Sequence, residues 1–418
     1  MAGNGSSGRV RIIAVGILLV LASVASADEI RIATWNISYY SGGRVAELQT
    51  AIYGQYMGRS MAPDILVGQE FISAAAVTNF VSILNTAPGS PGDWAAAAFV
   101  DGPDTDSAFF YRTSRVALAT DLSPNGVTVV SEGGVAPNHP RHIMRYDVRL
   151  SPGVSGESRL ALYSTHMKAG SSSGDQARRL VEAQRIREDA ESLPPGWHFL
   201  IGGDFNVQSS TQAAYQELVG SKENNDGRFF DPIKTPGAWN NNYAFRFVHT
   251  QDPIGAGGMD DRHDQILLST SLIDNVAPYY LGDASVPYST STWDDPVHTY
   301  RSWGNDGTSF DTTLTITGNQ MVGAVIAQAL VDCAAGAGHL PVFLDLRIPP
   351  CVGDFDCDGN INLVDYAAFA DCMTGPGQTP DPTPPTVPEQ CLETFDFDDD
   401  EDVDAADFAA FQEILAAQ

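Results

Sequence analysis

The feature that most limits how this chain can fold is a series of short polar motifs, each placed at the end of an apolar run. In order they are Thr34-Trp35-Asn36, Gln69-Glu70, Ser164-Thr165-His166, Gly203-Asp204-Phe205-Asn206, Arg262-His263-Asp264 and His339-Leu340-Pro341-Val342. The runs beside them (30–33, 65–67, 160–163, 199–201, 266–268 and 342–346) have strand length and strand composition. A strand end on a rigid sheet fixes the direction of its side chains. Asp204 and Asn206, two apart in extended backbone, face the same side. The six ends together present carboxylates, imidazoles and amides, an inventory suited to hydrolysing a phosphate ester with a hard divalent cation.

The ordered series resembles the endonuclease/exonuclease/phosphatase family, which includes pancreatic-type deoxyribonucleases, abasic-site endonucleases and bacterial sphingomyelinases. The resemblance spans 29–347 and implies an α/β, four-layered sandwich of two packed mixed β-sheets flanked by helices. It also implies roles. Glu70, with Asn36 beside it, would hold Mg²⁺ or Mn²⁺, and Asn36 would also face the substrate phosphate. Asp204 would position or deprotonate the attacking water, Asn206 would hold phosphate or a metal-bound water, and His166 would bond phosphate. Asp264, in Arg262-His263-Asp264-Gln265-Ile266-Leu267, would fix the tautomer of His339 and favour its protonated ring. An imidazole so held supplies general acid or base catalysis, worth about 10²–10⁴-fold. Arg141, Arg145 and Lys168 are candidates to line a phosphate groove in a locally basic stretch. One position departs from the family: Gly338 stands where an aspartate usually precedes the last histidine, and Asp260 and Asp261 are candidates to compensate.

Residues 1–27 carry Arg9 and Arg11, an apolar stretch from Ile12 to about Ala22, and Ala25-Ser26-Ala27. That is the three-part pattern of a secretory signal, too short to span a bilayer. A catalytic domain is expected over 28–347. Within it, a helix is expected from Asp175 to about Leu193, with Ala177, Leu180, Ala183 and Ile186 inward and Arg178 paired with Glu182 on the polar face. The stretches 221–242 and 279–312, rich in Gly, Asn, Asp and Ser, read as long surface loops.

Composition breaks at Ile348-Pro349-Pro350-Cys351. The net charge of the chain is −29, and residues 351–418 hold 17 of the 52 acidic residues and none of the 23 Lys and Arg. Two copies of one loop pattern lie here, at 354–365 and 396–407, on either side of a Pro-rich linker, 375–389. The first sets Asp354, Asp356, Asp358, Asn360, Asn362 and Asp365 at positions 1, 3, 5, 7, 9 and 12, with Gly359 at position 6. The second sets Asp396, Asp398, Asp400, Asp402, Asp404 and Asp407 likewise, with Glu401 at the glycine position. Such spacing points alternate side chains at one Ca²⁺, and the last carboxylate comes from the helix that follows. Helices are expected at 366–373 and 408–415, and a linker disulfide between Cys372 and Cys391. Paired loops of this kind resemble dockerin modules, so 348–418 is read as a small α-helical calcium-loop module. Leu363-Val364 and Ala405-Ala406 replace the Ser-Thr pairs that cohesin-binding dockerins carry, leaving a cell-surface or cohesin-like partner open.

The reading that results is a secreted, metal-dependent phosphodiester hydrolase, most simply an extracellular nuclease acting on DNA or RNA as a monomer. Two alternatives stand beside it. One is a phospholipid or sugar-phosphate hydrolase of the sphingomyelinase kind, with Tyr279, Tyr280 and Trp293 as candidate lipid contacts. The other is a decayed, non-catalytic binding protein, suggested by Gly338.

Overall fold

Period-two alternation in the strands builds the molecule in layers. A computed structural model describes residues 29–150, 159–255, 257–276, 278–334, 338–348, 351–355, 361–384 and 386–416. The expected signal segment 1–27 and the calcium-loop residues Asp356, Asp358, Gly359 and Asn360 lie outside the described residues, as do Ala337 and Cys357.

In chain order the strands are β1 (Glu29–Tyr40), β2 (Ile65–Phe71), β3 (Trp94–Ala96), β4 (Asp106–Arg112), β5 (Val116–Leu118), β6 (Val127–Ser131) and β7 (Ile143–Leu150). They continue with β8 (Arg159–His166), β9 (His198–Asp204), β10 (Phe229–Phe230), β11 (Asp264–Ser269), β12 (Tyr279–Tyr280), β13 (Arg301–Ser302) and β14 (Val342–Arg347). The helices are α1 (Val45–Tyr53), α2 (Ala74–Thr86), α3 (Ser173–Glu191), α4 (Ala213–Val219), α5 (Gly323–Cys333), α6 (Leu363–Cys372), α7 (Pro388–Phe395) and α8 (Ala405–Ala416).

Two seven-stranded mixed sheets form, one ordered β12-β14-β1-β2-β4-β3 with β13 beside β14, the other β10-β11-β9-β8-β7-β5 with β6 beside β7. Each has one parallel pair at its centre, β1 with β2 and β8 with β9, joined by a helical crossover as parallel pairing requires. Between the sheets, Ile30, Ile32, Ile65 and Val67 pack on Leu160, Leu162, Leu200, Ile266 and Leu268. The intervening residues point outward. Ala33 and Leu66 meet Leu48, Ile52, Phe80 and Leu330 of the first helical layer, and Ala161, Tyr163 and Ile201 meet Ala183, Ile186 and Leu218 of the second. Each fully buried Leu or Ile contributes about 1.5–3 kcal/mol of transfer free energy, so a one-residue slip of any central strand would be expelled. The expected four-layered sandwich is the observed one.

Three local expectations are corrected. Helix α3 runs over Ser173–Glu191, opened by a capping box between Ser172 and Asp175, and Ala177 is exposed. The Arg178–Glu182 pair does not form. Arg178 donates to the carbonyls of Asn138 and Gly134, while Glu182 is buried and accepts from Thr165 Oγ1 at 2.6 Å. Charged side chains turn inward here because backbone carbonyls await them: Arg179 donates to Lys168 O and Gly170 O, and Arg187 to the carbonyls of residues 217, 218, 220 and 224. The stretch 279–312 is no open loop either. Its aromatic residues Tyr280, Tyr300 and Trp303 are buried, and β12 and β13 pair with β14.

The C-terminal residues have their own apolar cluster of Phe369, Cys372, Cys391, Phe395, Val403 and Phe411. Cys372 and Cys391 are bridged, Cys351 is also disulfide-bonded, and Cys333 is free and buried. Helices α6 and α8 begin earlier than expected, at Leu363 and Ala405, because Asp365 and Asp407 sit in the first turn rather than before it. The two carboxylates act alike. Asp365 accepts the N–H groups of Phe355 and Asn362 at 2.7 and 2.8 Å, and Asp407 those of Phe397 and Asp404 at the same distances.

Candidate active site

The parallel pairs end side by side, and that places the polar motifs. Asn36 lies opposite Gln69 across β1 and β2, His166 opposite Asp204 across β8 and β9, and Asp264 opposite Asp204 across β9 and β11. His339 arrives from the segment leading into β14. Its main chain is tied down by Trp35 Nε1, which donates to His339 O at 2.9 Å, and by Leu340 N, which donates to Thr250 O at 2.8 Å.

One oxygen is the centre of the cluster. Asp204 Oδ2 lies 3.3 Å from Asn36 Nδ2, 3.4 Å from His166 Nε2 and 3.7 Å from His339 Nε2. The other oxygen, Oδ1, accepts Asn206 N–H at 2.9 Å, the local turn that commonly ends a strand at Asp. That turn leaves Oδ2 aimed into the cluster. Asp264 Oδ2 accepts from His339 Nδ1 at 2.7 Å and from Thr250 Oγ1 at 2.7 Å. Gln251 Nε2 stands 3.3 Å from His339 Nε2. Sequence motifs did not mark Thr250 or Gln251, which lie on a segment with no regular strand; isolated bridges to 261 and 339 place Gln251, and backbone hydrogen bonds with Asp261 and Leu340 place Thr250.

Glu70 occupies a left-handed conformation, φ 64°, that turns its carboxylate back over the end of β1. Its oxygens meet Tyr39 N at 2.8 Å and Asn36 Nδ2 at 3.2 Å, with His166 Nε2 3.8 Å away. The donor set fits a hard cation such as Mg²⁺, which takes few protein carboxylates and keeps its waters. Asn36 has a different part from the expected one. Its Oδ1 accepts Ser38 N–H at 3.0 Å, so the amide presents N–H groups to Glu70 and Asp204. It bridges the two carboxylates, and its carbonyl is turned away from them.

Burial governs the charges. It would lower the pKa of His339, but the charges of Asp264 and Asp204 and the hydrogen bond to Asp264 prevail and raise it. Burial raises Asp264 against the pull of His339, and for Asp204 the charges of His339 and His166 prevail over burial and lower it. For His166, burial prevails over the opposing charge of Asp204. Burial lowers it to about 3, and its Nδ1 is a buried atom without a partner among the described residues. The cluster thus pairs a cationic His339 and a neutral His166 around one ionised Asp204.

The expected cationic groove is not assembled. Arg145 is held by Asp147 and Asp189 at 2.8 and 2.6 Å. Arg141 lies closer, donating to His166 O, but is paired with Asp104 at 3.3 Å; Lys168 is paired with Asp175 at 3.3 Å. Asn206 donates to Met167 O at 3.1 Å, leaving its carbonyl oxygen unassigned. Arg262 serves structure, buried in a paired contact with Asp231 at 2.8 and 2.9 Å. Asp261 is engaged by Asn240, and Asp260 is raised to about 6 by burial and by the neighbouring Asp261. Tyr279, Tyr280 and Trp293 are not at the cluster; they line a groove with Glu29 and Arg31 at the opposite end of β1.

Gly338 has a steric reason to be glycine. A Cβ there would lie 2.2 Å from the Cβ of Ala334, so an aspartate cannot enter without moving the end of α5. In the second Asp-rich loop, carboxylate oxygens of Asp396, Asp398 and Asp400 lie within 4.8 Å of one another, as do those of Asp402, Asp404 and Asp407.

No family model and no curated protein matches the chain. Solved structures similar to it include D. rerio TDP2 humanized by 14 mutations, at 12% identity over 77% of this chain and 99% of that one, TM-score 0.43. An endonuclease/exonuclease/phosphatase family protein from Bacteroides thetaiotaomicron is 17% identical over 77% and 98%, TM-score 0.42. The human Nocturnin catalytic domain with bound sulfate is 14% identical over 76% and 94%, TM-score 0.43.

Proposed function

We propose that the chain is a divalent-metal-dependent phosphodiester hydrolase, secreted, and acting on nucleic acid outside the cell. The observation that carries this reading is Asp204 Oδ2 ringed by Asn36, His166 and His339, with Glu70 beside it and Asp264 2.7 Å behind His339. Hydrolysis of a phosphodiester needs an oriented water, neutralisation of the phosphoryl oxygens and protonation of the leaving oxygen. Asp204 orients and deprotonates the water. Glu70 holds the cation, Mg²⁺ or Mn²⁺, which when bound neutralises phosphoryl charge. His166 and His339 donate N–H bonds to the phosphate, and His339, protonated at neutral pH, is the acid for the leaving oxygen. Asn36 positions Glu70 against Asp204. The C-terminal residues 348–418 bind Ca²⁺ through the two Asp-rich loops and act as an attachment module, while residues 1–27 direct export.

A substrate panel of plasmid, single-stranded oligonucleotide, sphingomyelin and inositol phosphates, each with Mg²⁺ and with chelator, tests the reading. Chelator-sensitive cleavage of nucleic acid is expected. Turnover of only lipid or sugar phosphates would move the assignment, and turnover of none would end it.

A further inference from the structure

We propose that Tyr39 is a stacking platform for a base of single-stranded nucleic acid next to the scissile phosphate; this rests on the hydrolase reading above and narrows its substrate. The platform comes from a break in the pairing of β1 with β2. Asn36 pairs with Gln69 and Tyr40 with Phe71, so three residues of β1 lie over one of β2. Bulges of this kind re-aim a side chain. Here Ser38 and Tyr39 both take left-handed conformations, φ 54° and 50°, which non-glycine residues hold only where the surroundings fix them. Arg44 provides the fixing, donating to Ile37 O at 2.8 Å and Ser38 O at 3.4 Å.

The outcome is a division within one residue. The N–H of Tyr39 bonds Glu70 Oε2 at 2.8 Å, while its side chain stands 68% exposed at the rim of the cluster. A ring so placed meets whatever flanks the reacting phosphate. The charge pattern favours a base as that flanking group. With Arg141 held by Asp104 and Lys168 by Asp175, and the whole chain at −29, backbone phosphates gain little from free cations. Stacking on an aromatic ring needs no charge and accepts any base, provided the base is not already stacked inside a duplex. A lipid surface would ask for a contiguous apolar patch, and the neighbouring exposed apolar side chain on β2's outlet is Ile72, at 44%.

The test compares binding, with chelator present and ionic strength fixed, of a short single-stranded oligonucleotide and of a strand of equal length made of abasic sugar phosphates. The full chain, Tyr39→Ala and Tyr39→Trp are measured by fluorescence anisotropy, with far-UV circular dichroism to establish that each is folded. The full chain should favour the base-bearing strand by about 5- to 150-fold. Tyr39→Ala should bring the ratio to within about twofold of one, and Tyr39→Trp should keep it. A ratio near one in the full chain, or one unchanged in Tyr39→Ala, overturns the inference. So does loss of sphingomyelin-vesicle binding in Tyr39→Ala with the oligonucleotide ratio intact. Failure of the hydrolase reading appears separately, as no cleavage of either strand when Mg²⁺ replaces chelator.

Discussion

The strand-end cluster and the C-terminal loops both gather acidic side chains, but by opposite means. In the cluster each carboxylate is already met by protein donors: Asp264 by His339 and Thr250, Asp204 by Asn206 and the imidazoles, Glu70 by Tyr39 and Asn36. In the second loop Asp398 and Asp400 are exposed, and their pKa values are raised, first by desolvation and then by the acidic residues around them. The twelfth-position residues, Asp365 and Asp407, have both oxygens committed to backbone N–H groups, as does Asp396 at the first position of the second loop. The first region is organised by its own chain; the second, on the calcium reading proposed above, would be organised by an ion. The cluster should therefore lose chemistry when one side chain is removed, and the loops should lose structure when calcium is.

The largest effect is expected at His339. His339→Ala should lower kcat by about 10²–10⁴-fold, with the fold retained by circular dichroism. Asp264→Asn should lower it too, and bring the alkaline limb of the pH profile toward neutrality, because the charge that raises His339 is gone. The linkage has a definite sign. His339 is raised above its ordinary 6.5 in the folded chain, so its contribution to stability is fully present below 6.5 and is lost as pH rises through the raised value. Thermal denaturation at pH 6 and above pH 9 measures this; equal stabilisation by His339 at both would contradict the arrangement.

Calcium withdrawal should act elsewhere. For the full chain, a transition belonging to the C-terminal residues should move to higher temperature with Ca²⁺, each site adding about 2.7 kcal/mol of stability at a hundredfold excess over Kd. Asp407→Asn should abolish about half of that rise, the share of the second loop, while leaving hydrolysis in Mg²⁺ intact. Calorimetry that finds no calcium dependence would remove the distinction between the two regions.

The strand ends were legible because six polar motifs, each flanking an apolar run, rarely arise together by chance. The layers were implied by the family resemblance; the structure then divides the apolar run Leu160-Ala161-Leu162-Tyr163 between the core that joins the sheets and the second helical layer. What was not legible depends on partners distant in sequence. Glu182 read as part of a polar face beside Arg178, yet a threonine from another segment draws it inward, as backbone carbonyls draw in Arg179 and Arg187. Gln251 reaches His339 through irregular backbone, and Tyr39 owes its place to a bulge that no hydrophobic period records. Arg141 and Lys168 were credited with phosphate contacts from charge alone, and nearby Asp104 and Asp175 engage them instead.

Gly338 sharpens the same point, since the familiar aspartate is excluded by packing. Gly338→Asp should destabilise the sandwich by about 1–3 kcal/mol, the usual cost of overpacking, through the contact with Ala334. Adding Ala334→Gly should recover part of that loss. If Gly338→Asp alone is neutral in denaturant titrations and raises kcat at low Mg²⁺, the position is open, and the absence of an acid there is a loss of function.

The smallest effect belongs to the loops. Glu401 stands at the turn position of the second loop with φ 67°, where a side chain costs about 1–2 kcal/mol that glycine avoids. Its backbone N–H nonetheless bonds Asp396 Oδ2 at 3.0 Å, a contact that survives any substitution of the side chain. Glu401→Gly should therefore stabilise the calcium-bound loop by about 1 kcal/mol. Glu401→Ala separates the causes, because it removes the same negative charge but keeps the backbone cost. Calcium titration of both variants decides between them. Tighter binding in the glycine variant alone means the loop is limited by its backbone. Equal tightening or loosening in both means that charge sets the affinity, and the second loop is then organised by electrostatics in the same way as the strand-end cluster.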